Sequence, residues 1–171
     1  MTGIKASCGN VPTLQKKGEK KDMSDTVTVT VTRQDKYRFL VDYGVGLPSA
    51  IADEPPPLGD GTGPSPTQLL AAAVANCLSA SLLFAVGKFK EDPGQISTSA
   101  VCEIGRNEKN RLRVTGIKVT MKLGVSPELL AHLDRALAQF QDFCTVSQSV
   151  KAGIPFTVTV VAPDGRELAP A

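Results

Sequence analysis

Between Asp60 and Lys88 the chain carries no charged residue, and most of that stretch is apolar. Such a segment has to be hidden from water on nearly every side. Ser65-Pro66 at its head supplies an N-cap and a proline suited to the first helical position. The run Leu69 to Val86 therefore predicts a helix ending near Phe89, interrupted only by Asn76, Cys77, Ser79 and Ser81 among its polar residues. Its length and apolarity are those of a membrane span. The polar residues clustered midway, the many alanines and the amphipathic strands elsewhere favour a different solution: a central helix wrapped by sheet or by a second subunit. Of the possible readings, a membrane-embedded helix is the weakest.

The strands announce themselves by alternation. Thr26 to Thr32 reads Thr-Val-Thr-Val-Thr-Val-Thr, a strand with one wet and one buried face. A polar turn at Arg33–Lys36 and a second alternating run, Tyr37 to Tyr43, complete a hairpin. A long Gly/Pro loop, Gly44 to Pro64, leads to the helix, and loops of that length are usually functional or lie along a partner. Two further strands are expected at Ile96–Ile104 and Arg111–Leu123. An amphipathic helix opened by Ser126-Pro127 follows, carrying Leu129, Leu130, Leu133, Leu137 and Phe140. A short helix from near Cys144 to Gly153 and a strand at Ile154–Val161 end the pattern. The order ββ–α–ββ–αα–β describes an α+β domain with an antiparallel sheet and segregated helices. It occupies residues 25–165 as one domain, ordinary in size. Residues 1–24, polar and lysine-rich, read as a disordered extension in which Met23 offers a second translation start and Cys8 is a bystander. Residues 166–171 read as a tail.

Several function classes fall away on composition. Nineteen basic against seventeen acidic residues give a net charge of +2. Five of the lysines sit in the first 22 residues, so the remainder has no basic footprint for nucleic acid. His132 is the single histidine, and Cys8, Cys77, Cys102 and Cys144 show no C-x-x-C pair, which argues against a metal site. The glycines at 44–46 and 59–63 lack the spacing of a phosphate loop, so no cofactor is expected. The first residues contain no apolar leader, so the expected compartment is the cytoplasm, with reduced thiols.

Two thiols remain as candidates. A mid-helix cysteine is ordinarily an inert small hydrophobe. Cys77, however, has Ser81 one turn on and Asn76 and Ser79 nearby, and burying such groups without purpose costs free energy. Cys144 stands at a helix start, where free N–H groups favour a thiolate. Were the two to meet, one could attack a peroxide and the other resolve the sulfenic acid to a disulfide. The attacking thiolate needs a cation beside it, and arginine suits.

Gly63-Pro64-Ser65-Pro66-Thr67-Gln68-Leu69-Leu70-Ala71-Ala72-Ala73, continued by Asn76-Cys77-Leu78, and the later Phe143-Cys144-Thr145-Val146-Ser147 resemble the OsmC/Ohr family of osmotically inducible and organic hydroperoxide resistance proteins. The resemblance runs from about Thr26 to Pro163. It implies an OsmC-like fold, an antiparallel sheet wrapped on a long central apolar helix in an intertwined homodimer whose active sites lie at the subunit boundary. It also implies a thiol-dependent peroxidase reducing organic, lipid-like hydroperoxides, regenerated by an external thiol reductant of dithiol or lipoyl type. Residue by residue, Cys77 matches the attacking cysteine and Cys144 the resolving one, with Arg38 or Arg33 of the first hairpin as activator. Asn76, Ser81 and Glu54 are expected around the substrate. Where hydroperoxide-resistance members carry a glutamate after the helix-opening proline this chain has Thr67, and Glu54 is the substitute at hand. That departure motivates an alternative: a dimer of the same fold without peroxidase activity, binding a hydrophobic small molecule or sensing redox state.

Overall fold

The protein is described here by a computed structural model covering residues 26–168, so the expected N-terminal extension with Cys8 and the last residues of the tail lie outside the described residues. The long helix α1 (Pro66–Gly87) forms as expected. A capping box starts it: the Ser65 hydroxyl accepts the Gln68 N–H at 3.4 Å, and the Gln68 side chain accepts the Ser65 N–H at 2.8 Å. Three short strands, β1 (Thr30–Asp35), β2 (Arg38–Asp42) and β3 (Ala50–Ala52), precede it as an antiparallel sheet. The second sheet holds β4 (Ser97–Arg106), β5 (Leu112–Lys122) and β6 (Phe156–Val161). Its β4–β5 hairpin is antiparallel and β6 lies parallel to β5.

One side of α1 packs on the second sheet. Val74, Leu78, Leu82 and Ala85 on the helix are fully buried against Ile117, Val119 and Met121 of β5. β5 alternates as its sequence requires, with Lys118, Thr120 and Lys122 facing water between those apolar residues. The remaining cover comes from α2 (Leu133–Leu137), α3 (Thr145–Val150) and the turns around them. The apolar stripe after Ser126 does not make one helix. It breaks into a 3₁₀ turn at Pro127–Leu129, the short α2, and a second 3₁₀ turn at Phe140–Phe143. Leu130, Leu133, Leu137 and Phe140 still face inward, whereas Leu129 is exposed, so the pattern reported most of the buried face correctly and the continuity wrongly. α3 likewise stops at Val150, before Gly153. The strand expected from Thr26 begins at Thr30, β3 lies inside the expected loop, and Glu167 and Leu168 fold back to pair with β6 rather than fray.

The first sheet has no such cover. All six residues of β1 are exposed, Val31 among them at 57%. Between this sheet and the N-terminal half of α1 runs an apolar groove of about 750 Å³, lined by Val31, Phe39, Val41, Leu69, Ala73 and Asn76 among others. Further along the same face of α1, beyond Leu69 and Asn76, Leu83 is open as well, at 47% exposed.

Asp53 clasps the loop that carries the chain from β3 to α1. It is buried, and one carboxylate oxygen accepts the Asp60 N–H at 3.2 Å, the Thr62 N–H at 3.0 Å and the Thr62 hydroxyl at 2.9 Å. Gly59 sits so close that a Cβ there would collide with the other oxygen and with the Glu54 carbonyl. The Thr62 N–H, outweighing the cost of burial, holds the Asp53 carboxyl below its ordinary range. A depressed carboxyl stabilises the fold fully at neutral pH and loses that contribution as pH falls through its own titration. Amide exchange at Thr62 should therefore stay slow through neutral pH and accelerate only below the ordinary carboxylate range, and Asp53→Asn should show fast exchange already at pH 7. Equal protection in both proteins at pH 7 would refute the clasp.

Candidate active site

α1 carries Cys77 at mid-length, and the buried Phe140 seats the turn that delivers Cys144 against it. Cys144 is the N-cap of α3. Its N–H reaches the Gln141 carbonyl at 3.1 Å, and its sulfur accepts the Ser147 N–H at 3.4 Å. The two thiols are hydrogen-bonded to each other, and Ser81, one turn beyond Cys77, also reaches the Cys144 sulfur. Cys144 has no exposed surface, whereas Cys77 is half-buried and opens on a pocket of about 370 Å³ shared with Ala80, Ser81, Phe84 and Phe143. A small molecule arriving from solvent meets only one of the two sulfurs.

Their electrostatics differ in a way that follows from this geometry. Burial pushes the Cys77 thiol up, and its hydrogen bond to Cys144 pushes it further, against the N–H groups of Val146 and Thr145 that favour the anion. Burial also opposes ionisation of Cys144, but donation from Cys77, from the Ser147 hydroxyl and N–H, and from Ser81 outweighs it and holds that thiol below its ordinary value. The pair thus titrates as a unit, with the first negative charge resting on Cys144.

Of the residues expected around the substrate, Ser81 lines the pocket on which Cys77 opens. Asn76 turns onto the apolar groove instead of the thiol pocket, because one helix step separates their faces by about 100°. Glu54 sits in the clasped loop, its carbonyl accepting the Gly61 N–H at 3.1 Å. Arg33 bonds the Lys36 carbonyl at 2.9 Å at the hairpin turn, and Arg38 lines a shallow depression with Gln34, Ile51 and Thr62. Neither arginine of this protomer lines the thiol pocket. Phe84 and Phe143 do, and neither was given a role from the sequence, although Phe84 lies seven residues after Cys77 on the same helix face. Cys102, on β4, is half-buried, and burial raises its thiol. Among the described residues, no group of three or more His, Cys, Asp or Glu side chains is placed to hold a metal ion.

A family model described as OsmC-like protein matches residues 59–159. No curated protein sequence matches. Solved structures do. A putative osmotic stress induced and detoxification response protein from Psychrobacter arcticus is 20% identical, with a TM-score of 0.66 over 81% of this chain and 98% of that one. An organic hydroperoxide resistance protein OsmC from Legionella pneumophila is 16% identical, with a TM-score of 0.63 over 80% and 98%. The organic hydroperoxide resistance protein OhrB of Bacillus subtilis is 18% identical, with a TM-score of 0.60 over 80% and 98%. At these identities the structures show a shared fold.

Mild oxidation with diamide should join Cys77 to Cys144 and leave Cys102 alkylatable, as peptide mapping will show. Thiolate absorbance at 240 nm should place the first ionisation above its wild-type position in Cys77→Ala, since Cys144 then loses a donor. In Cys144→Ala the Cys77 thiol should fall toward an ordinary value. Opposite shifts would refute the assigned proton.

Proposed function

This chain belongs to the OsmC-like protein family, a family tied to peroxide stress, and from that premise we propose that it is a thiol peroxidase for organic hydroperoxides. The observation that carries the proposal is the hydrogen-bonded pair of sulfurs, one accessible and one enclosed, at the base of an apolar pocket. When the pair first ionises, the remaining proton lies on Cys77 and the charge on Cys144. When a hydroperoxide enters, Cys144 takes that proton and the Cys77 thiolate attacks the distal oxygen. The O–O bond breaks, Cys77 becomes a sulfenic acid, and the alkoxide takes the proton to leave as an alcohol. The Cys144 thiolate then attacks the Cys77 sulfur, expelling hydroxide, which picks up a solvent proton to become water. An external dithiol reduces the resulting disulfide and is itself oxidised to its own disulfide.

A cation beside Cys77 would stabilise its thiolate and the departing alkoxide. We assign that role to Arg38 or Arg33 of a second copy. The groove beside β1 and the open side of α1 are the apolar surfaces a second copy would cover, so the working form is a homodimer. The free thiols suit a reducing compartment, for which we propose the cytoplasm.

One observation favours a second reading. In a single protomer the sulfur that ionises more readily is the one a peroxide cannot reach, an arrangement equally suited to a redox sensor or a carrier of hydrophobic molecules.

Activity of each variant on cumene hydroperoxide with excess dithiothreitol separates the two readings. Cys77→Ser should lose turnover by several orders of magnitude, as nucleophile removal does elsewhere. Cys144→Ser should consume about one equivalent and then over-oxidise at Cys77, seen by mass spectrometry. Wild-type turnover by Cys77→Ser would exclude the cycle. Light scattering should give twice the chain mass, and Val31→Glu should lower it. Of Arg33→Ala and Arg38→Ala, one should cost about tenfold or more in kcat/KM, the effect of a lost charge-assisted hydrogen bond. No loss in either would remove the hairpin arginines from the mechanism.

A further inference from the structure

The turn that brings Cys144 to Cys77 is fixed unequally at its two ends. Phe140, at its start, is fully buried in the core. Phe143, at its end and immediately before Cys144, is 38% exposed. What seats this outer end is a contact with α1. The Phe143 ring meets the Phe84 ring edge to face, with centroids 5.2 Å apart and planes at 81°. Lys88 closes the contact: its Nζ lies 3.9 Å from the centre of the Phe143 ring and 4.9 Å from that of Phe84. The sequence explains how the three meet. Phe84 lies seven residues after Cys77 and Lys88 four after Phe84, so all three share one helix face. Lys88 caps α1, and side chains on a helix lean toward its N-terminus, which carries the ammonium back over Phe84 and onto the docked Phe143.

This clasp joins two elements that the local hydrogen bonds do not join. The Gln141 carbonyl accepts the Cys144 N–H at 3.1 Å and the Gln148 side-chain amide at 3.0 Å, bonds that shape the turn and α3 without reaching α1. Among the described residues Lys88 enters no ion pair, and its charge is directed at the ring faces. The edge-to-face pair adds to the attraction beyond the area it buries. Oxidation of Cys77 replaces the S–H that bonds Cys144, whereas the clasp contains no sulfur and is unchanged by that step.

We propose that Lys88, acting through Phe143 and Phe84, is a positioning residue that holds Cys144 against Cys77 and so decides the fate of the oxidised thiol. The proposal rests on the peroxidase reading for that chemistry, but not for the clasp itself. Two reactions compete for the Cys77 sulfenic acid. In one, the Cys144 thiolate attacks its sulfur: the S–S bond forms, the S–O bond breaks, and hydroxide leaves to take a proton from solvent. In the other, the sulfenic sulfur takes the distal oxygen of a second organic hydroperoxide. The O–O bond breaks, Cys77 becomes a sulfinic acid, and the peroxide leaves as an alcohol. Only the first reaction depends on where Cys144 stands.

Labelling of Cys144 by iodoacetamide, read by peptide mapping, reports the clasp without turnover. Cys144 has no exposed surface and reacts only when its turn lifts from α1. In a Cys77→Ala background, which removes the competing thiol, Lys88→Gln should raise the Cys144 labelling rate about two- to fivefold, the range an exposed cation–π contact supplies. Lys88→Arg should leave the rate unchanged, since a guanidinium also sits on ring faces. In Phe143→Leu, where the ring is gone, Lys88→Gln should have no further effect. Cys102, on β4 in the second sheet, should label equally with and without Lys88→Gln and marks any general loosening. Equal Cys144 rates with and without Lys88→Gln, or a matching rise at Cys102, would overturn the clasp. Turnover is read in the chain that keeps both thiols, with cumene hydroperoxide and excess dithiothreitol. There Lys88→Gln should accumulate Cys77 sulfinic acid at a correspondingly lower peroxide concentration, seen by mass spectrometry. Over-oxidation no different from wild type during turnover would overturn the positioning role. If neither protein turns over while Lys88→Gln still frees Cys144, the peroxidase reading fails and the clasp stands.

Discussion

Everything in this molecule answers to a helix that cannot stand in water. α1 is apolar on nearly all sides, yet its own chain covers only the side that meets the second sheet and the short helices. Burial of Val74, Leu78 and Leu82 fixes that side with the energy of a conventional core, each large side chain contributing about 1.5–3 kcal/mol. The uncovered side faces the groove beside β1. A sheet with one bare apolar face and a helix with one bare apolar side, in one chain, are the two surfaces that the proposed second copy would cover.

The same constraint places the chemistry. Cys77 stands where the covered and uncovered sides of α1 meet, so its sulfur touches both the protein interior and the pocket. Cys144 arrives from the interior side, and the proton they share falls to the more exposed partner because the enclosed one collects more donors. That division needs no charged residue from this protomer. It also shows why the pair as it stands is poised rather than activated: a guanidinium near Cys77 would pull the charge to the sulfur that faces solvent.

Much of this was legible from the residues. The charge-free stretch and Ser65-Pro66 located α1, and the alternation of Val114–Leu123 identified a strand with one buried face. The motifs around Cys77 and Cys144 singled out the two thiols, and the one-turn spacing of Ser81 from Cys77 put both on the same pocket. What stayed hidden depended on tertiary placement. β3 is three residues long inside a Gly/Pro-rich loop, too short to show a period. The stripe after Ser126 fits a helix, but the chain must pivot twice to wrap the end of α1, and packing overrode periodicity. Phe143 stood in the second motif with no role of its own, since it becomes a pocket wall only when its turn docks on α1. Asp53 gave none either, because its partners lie seven and nine residues on, in a loop without pattern.

The enclosure of Cys144 has a consequence for how the proposed cycle is reset. Once the two sulfurs are joined, a reductant arriving from solvent can approach only the Cys77 side of the bond, since Cys144 offers no surface. The departing group is then Cys144, the sulfur whose anion the fold already stabilises, and a leaving thiol of low pKa departs faster. Concealing one sulfur thereby dictates both the regiochemistry of reductive opening and its ease.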